Sequence, residues 1–111
     1  MTPRCFQVHP SDSVATLLDD VPTAPATVGV LSSRGQSEVT ATEPIVQAHK
    51  IALRDIRAGE PIVKFGVAIG AAISDIRAGQ WVHLHNCKSN FDQRSQTLDV
   101  HTGATTDTKY E

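Results

Sequence analysis

The sequence predicts a small, mainly β domain with one short N-terminal helix, and three observations carry that expectation. A hexapeptide recurs: Asp55-Ile56-Arg57-Ala58-Gly59-Glu60 returns twenty positions later as Asp75-Ile76-Arg77-Ala78-Gly79-Gln80. Each copy is followed at once by an extended pattern, PIVKFG after the first and WVHLHN after the second. Upstream, residues 27–31 and 38–42 bracket the turn signal Ser32-Ser33-Arg34-Gly35, as two strands of a hairpin would. One repeat is too few for a solenoid, which needs at least about three units. It reads instead as a turn used twice, with Gly59 and Gly79 supplying a positive φ before a new strand leaves.

In chain order, residues 5–9 (CFQVH) predict a first strand with Phe6 and Val8 on one face. His9-Pro10-Ser11-Asp12-Ser13 supplies turn and cap chemistry, and Ser11 or Asp12 would cap a helix over residues 13–19. Val14, Leu17, Leu18 and Val21 would form its apolar side, and Pro22 and Pro25 would stop it. After the hairpin, Pro44 interrupts and Ile45 and Val46 lead to the central stretch, residues 49–86. There His49, Ile51 and Leu53 alternate with Lys50, Ala52 and Arg54. In WVHLHN, Val82 and Leu84 make the apolar face, with Trp81, His83 and His85 opposite. Gly66 and Gly70 mark points where the backbone bends or runs close to a neighbour. A domain over residues 1–86 is therefore expected. Residues 87–111, rich in Thr, Asp and Ser, form a polar tail or an arm that orders on a partner.

Composition narrows the function classes. The 111 residues suit one domain with its own core, small for a complete enzyme. A net charge of −2 gives no case for nucleic-acid binding, which needs a clustered basic surface. No apolar run approaches the roughly 20 residues of a membrane helix, and MTPRCFQVHP lacks the core of a secretion signal. Cys5 and Cys87 stand far apart without CxxC spacing, so neither a disulfide framework nor a zinc knuckle is indicated. The expected compartment is the cytoplasm.

The central stretch holds three of the five histidines. On a strand His83 and His85 would point the same way, so both imidazoles could reach one metal ion, or they could be two solvated surface side chains. His49 shares a face with Ile51 and Leu53, which suits either a site role or a buried histidine bonded to a carbonyl. Lys50 and Lys64 are candidate hooks for a carboxylate or sulfonate, against the ordinary alternative of solvated lysines. Asp55, Asp75 and Asp12 read first as side chains that bond nearby backbone amides. No Ser-His-Asp order, phosphate-binding glycine loop or paired carboxylates can be defended.

The run HKIALRDIRAGEPIVKFGVAIGAAISDIRAGQWVHLHN resembles the SAF domain of the altronate/galactarate dehydratase family, loosely GHKIAL-DI--GE-V-KYG--IG-A---I--GE-VH-HN. Ala48 replaces the usual glycine, Phe65 the usual tyrosine and Gln80 the second acidic residue. Upstream, His9-Pro10-Ser11-Asp12-Ser13-Val14-Ala15 is similar to the family's HP-DNVA, with Ser13 for asparagine. The resemblance covers about residues 6–86 and implies a β-clip (SAF-like) fold.

The same resemblance implies a lyase. Members of the family remove water, or sulfite, from hydroxy-acids with a bound iron, held mainly by a larger domain or subunit. Because the chain ends soon after this domain, it is expected to be a separate small subunit, inactive without a large dehydratase-type partner. His49, His83 and His85 are the expected catalytic residues, with Lys50, Lys64 and Asn86 binding substrate and His83 and His85 as candidate metal ligands. The substrate would be a small hydroxy-acid or sugar acid, with neither nucleic acid nor membrane as partner. The alternative is a non-catalytic SAF module that binds a carbohydrate or protein, like the antifreeze-like domain of sialic acid synthases. A homo-oligomer is compatible with either.

Overall fold

The structure is a computed structural model that describes residues 2–89. Those residues form nine strands and no helix. A six-stranded sheet runs β4-β3-β1-β2-β5-β8, and a three-stranded sheet runs β6-β7-β9. Strands β1 (Arg4–Gln7), β3 (Ala26–Ser32) and β4 (Gly35–Ala41) make one side of the larger sheet, with β1 and β3 parallel and β3 and β4 a hairpin. Strands β2 (Val14–Leu17), β5 (Lys50–Ala52) and β8 (Trp81–Val82) make the other side, all antiparallel. The smaller sheet pairs β6 (Pro61–Lys64), β7 (Val67–Ala72) and β9 (Cys87–Ser89).

The helix expected over residues 13–19 is not there: this segment contributes β2, between β1 and β5. The reason lies in its burial. Ala15 and Leu17 enter one core with Cys5, Val28, Val30 and Ile51, while Val14 enters a second with Ile56, Ile62, Ile76 and Val82. A strand covered on both faces loses the two-residue alternation that identifies a strand, and a short apolar run of that kind also fits a helix period. The expected cap Asp12 and the segment's first residue, Ser13, instead bind other segments. Ser13 Oγ accepts the Val63 N–H at 2.9 Å, and the Asp12 carboxylate accepts the N–H groups of Val8, His9 and Gly66.

Two smaller departures follow the same logic. In β1 the buried side chain is Cys5, and the expected apolar pair Phe6 and Val8 is exposed. Cys87–Ser89, assigned by composition to the tail, pairs with β7 as β9 and buries Cys87. The remainder of the expected arm lies outside the described residues.

The repeated hexapeptide is two turns, as expected. Gly59 and Gly79 have φ of 89° and 92°, and the N–H of Glu60 and of Gln80 closes each turn on the carbonyl of Arg57 and of Arg77. The side chains of Glu60 and Gln80 each accept the N–H of that same arginine, at 2.6 and 2.8 Å. An amide oxygen serves there as well as a carboxylate, so the Glu-to-Gln difference between copies costs no bond. The two turns are also exchanged. Asp55 accepts the Ala78 N–H and Asp75 accepts the Ala58 N–H, both at 2.9 Å, rather than capping their own turns. Ile56 and Ile76 bridge through reciprocal 2.7 Å bonds, and Gly59 docks on Ala72 as Gly79 docks on Ala52. Every partner is displaced by the repeat length of twenty, so the copies are related by a local pseudo-twofold axis between the two buried isoleucines.

Candidate functional site

Pairing of β5 with β8 builds the site. Lys50 lies opposite Val82 and Ile51 opposite Trp81, which sets His49, just before β5, across from His83, just after β8. Their ring centroids are 5.2 Å apart. Trp81 is the hub. Its ring stacks on His83 at 5.1 Å and 15°, lies 4.8 Å from His85 and 5.5 Å from His49, and its indole N–H donates to His49 Nδ1 at 3.0 Å. The three histidines singled out by sequence therefore meet in space around Trp81, which the alternating pattern puts on the face of His83 and His85 alone.

The route differs from the expected one. Strand β8 stops at Val82, and residues 83–86 form a turn, so Leu84 is exposed rather than part of an apolar face. Buried Asn86 holds that turn: its Oδ1 accepts the His83 N–H at 2.9 Å and its Nδ2 donates to the Trp81 carbonyl at 2.8 Å. Its side chain thereby fixes the direction of His83. The Trp81 backbone is pinned from the other side as well, its N–H donating to Glu43 Oε2 at 3.0 Å.

Positive charge collects beside these rings. His83 has its pKa lowered, first by burial and then by His49, Lys50 and His85. Lys64, in β6, has its pKa lowered by burial and by Lys50, with Asp12 opposing the change, and its ammonium sits 4.9 Å from the Phe65 ring centroid. Lys50 thus lies within electrostatic reach of both His83 and Lys64, which joins β5, β6 and the 83–86 turn into one cationic neighbourhood. Burial is the larger cause of both shifts, the neighbouring cations add to it, and Asp12 is the carboxylate that partly offsets them at Lys64. Among the described residues, no group of three His, Cys, Asp or Glu side chains is placed to hold a metal ion. His83 and His85 amount to two donors at most, so these residues do not fit a self-contained iron centre.

Comparison with known proteins gives this geometry a context. A family model described as the altronate/galactarate dehydratase SAF domain matches residues 3–90. Altronate dehydratase of Escherichia coli is 36% identical over 91 residues, which is 82% of this chain and 17% of that enzyme. Altronate dehydratase of Bacillus subtilis is 36% identical over 85 residues, 77% of this chain and 16% of the enzyme. The chain therefore spans under a fifth of the length of these two dehydratases. The (2R)-sulfolactate sulfo-lyase subunit alpha of Paracoccus pantotrophus is 37% identical over 60 residues, covering 54% of this chain and 90% of that subunit.

Proposed function

The chain belongs to the family of the altronate/galactarate dehydratase SAF domain, and on that premise we propose that it is the small subunit of a lyase acting on a sugar acid or related hydroxy-acid. The observation that carries this reading is the match to a sulfo-lyase subunit alpha over 90% of that subunit's length, a domain of this kind acting as a subunit. We assign the paired sheets to a β-clip fold and the protein to the cytoplasm.

In this reading Lys50 and Lys64 receive the substrate carboxylate. His83, kept neutral at pH 7 by burial and its cationic neighbours, takes the proton α to the carboxylate as the hydroxyl, or a sulfite, departs. His49 and His85 flank the same space, and Asn86 orients His83 within it. Iron belongs to the larger dehydratase-type subunit; with the His83 lone pair committed to the proton, His85 is the donor this pair could lend to it.

The test is co-purification of the tagged chain from its native host, with metal analysis of whatever accompanies it. A larger iron-containing partner, and elimination from hydroxy-acids only when both chains are present, is the expected result. Turnover by the isolated metal-loaded chain would overturn the subunit assignment. Recovery of the chain alone and metal-free would favour a non-catalytic module that binds a carbohydrate or protein.

A further inference from the structure

The contact between Trp81 and His49 carries information that the identity of the two residues does not. An indole N–H can only donate, so the atom 3.0 Å from it, His49 Nδ1, must accept. A neutral imidazole with an unprotonated Nδ1 carries its proton on Nε2. Trp81 is itself held still: Glu43 accepts its backbone N–H, Asn86 donates to its carbonyl, and the imidazole of His83 stacks on its ring. The donor is therefore presented at a fixed place, not on a mobile side chain.

We infer that Trp81 is a positioning residue that locks His49 in the Nε2–H tautomer, so that His49 offers a hydrogen-bond donor to a substrate carboxylate or hydroxyl oxygen and is not the base. The inference deepens the lyase reading and rests on it for the identity of the acceptor. The tautomer itself needs no partner or substrate. In that tautomer His49 has no free lone pair for a proton or a metal: Nδ1 is occupied by the indole and Nε2 carries hydrogen. The two imidazoles 5.2 Å apart are thereby divided in role, with His49 donating and His83 accepting. A neutral His49 gives up no proton in this scheme, because the product would be an imidazolate; it acts by hydrogen bonding alone.

The test is long-range proton–nitrogen correlation NMR on the ¹⁵N-labelled full chain at neutral to mildly alkaline pH. Wild type should show a protonated Nε2 and an unprotonated, hydrogen-bonded Nδ1 at His49. Trp81→Phe keeps an aromatic ring against His83 and His85 but removes the donor, and the His49 signals should move towards a mixture of both tautomers. An Nδ1–H tautomer in wild type would overturn the inference, as would unchanged His49 signals in W81F. Should W81F fail to fold, the wild-type tautomer still decides, read together with slowed solvent exchange of the Trp81 indole proton. Because the readout involves no turnover, failure of the subunit assignment would leave it standing, and a wrong tautomer would leave that assignment standing.

Discussion

The carboxylate of Asp12, in the loop after β1, accepts the backbone N–H of Gly66 at the tip of the β6–β7 hairpin, 2.7 Å away and 54 positions along the chain. It also accepts the N–H groups of Val8 and His9, so one side chain ties the first loop of the larger sheet to the smaller sheet. Burial alone would raise its pKa, but the amides of His9, Gly66, Phe65 and Val8 together outweigh burial and the pKa is lowered. A carboxyl with a lowered folded-state pKa adds stability above its unfolded value, and that stability is lost as pH falls through the folded value. Asp12→Asn should therefore cost about 1–3 kcal/mol at pH 7. Urea unfolding between pH 2 and 7 should show the wild type losing its advantage below about pH 4.

The two repeat glycines should differ in sensitivity although both have positive φ. At Gly59 an added methyl group meets open space, so Gly59→Ala should cost only backbone strain, about 1–2 kcal/mol. At Gly79 the methyl would overlap the carbonyl oxygen of Thr40, next to the bond from Thr42 N–H to the Gly79 carbonyl. Gly79→Ala should cost at least about 3 kcal/mol. Equal losses in thermal unfolding would mean that the Thr40 contact yields freely.

Ala48 makes the converse case. It has φ of 75° in the turn that delivers His49 to the site, closed by the His49 N–H on the Val46 carbonyl. Alanine resists that conformation by about 1–2 kcal/mol, which exceeds the extra chain entropy that glycine brings to the unfolded state. Ala48→Gly should stabilise the fold by about 0.5–1 kcal/mol, seen as a raised Tm with the His49–Trp81 contact intact. A lowered Tm would count against strain at this position.

His83 sets a second pH limit. Its folded-state pKa lies below the ordinary 6.5 through burial and its cationic neighbours. The unfolded chain then binds the proton more readily, so stability falls as pH drops below about 6.5 and is untouched above it. His83→Gln should flatten the dependence between about pH 5 and 7, and a slope unchanged by the substitution would assign it to another group.

Much of this was legible in the sequence because local chemistry decided it. The β3–β4 hairpin, the positive φ of Gly59 and Gly79 and the close approach at Gly70 each follow from a residue type and its immediate neighbours. Strand β2 reads as a helix in the sequence because its burial comes from two cores far away in sequence, which erases its alternation. Asp55 and Asp75 read as amide acceptors from the sequence, but no local rule says that each serves the other's turn. In the site, the residues that could bear chemistry were visible. Their convergence was not, since the β5–β8 pairing that joins His49 to His83 depends on a register that the alternating pattern leaves open. The strand pattern groups Trp81 with His83 and His85, but β8 ends at Val82, and the role of Trp81 as hub emerges only when the rings are seen together.

The exchanged turns also constrain how the chain can reach this state. Neither hexapeptide can finish its hydrogen bonds until the other has been synthesised, and the two isoleucines bridge only when both are in place. A fragment ending at residue 70 would hold one complete hexapeptide and still lack both its acceptor and its bridge. The loop between the copies must close before either is rewarded, an entropy cost met ahead of the enthalpy it brings. Folding of this half should consequently be all-or-none, with substitutions at Ile56 and Ile76 slowing it to a similar degree, as partners in one nucleus would.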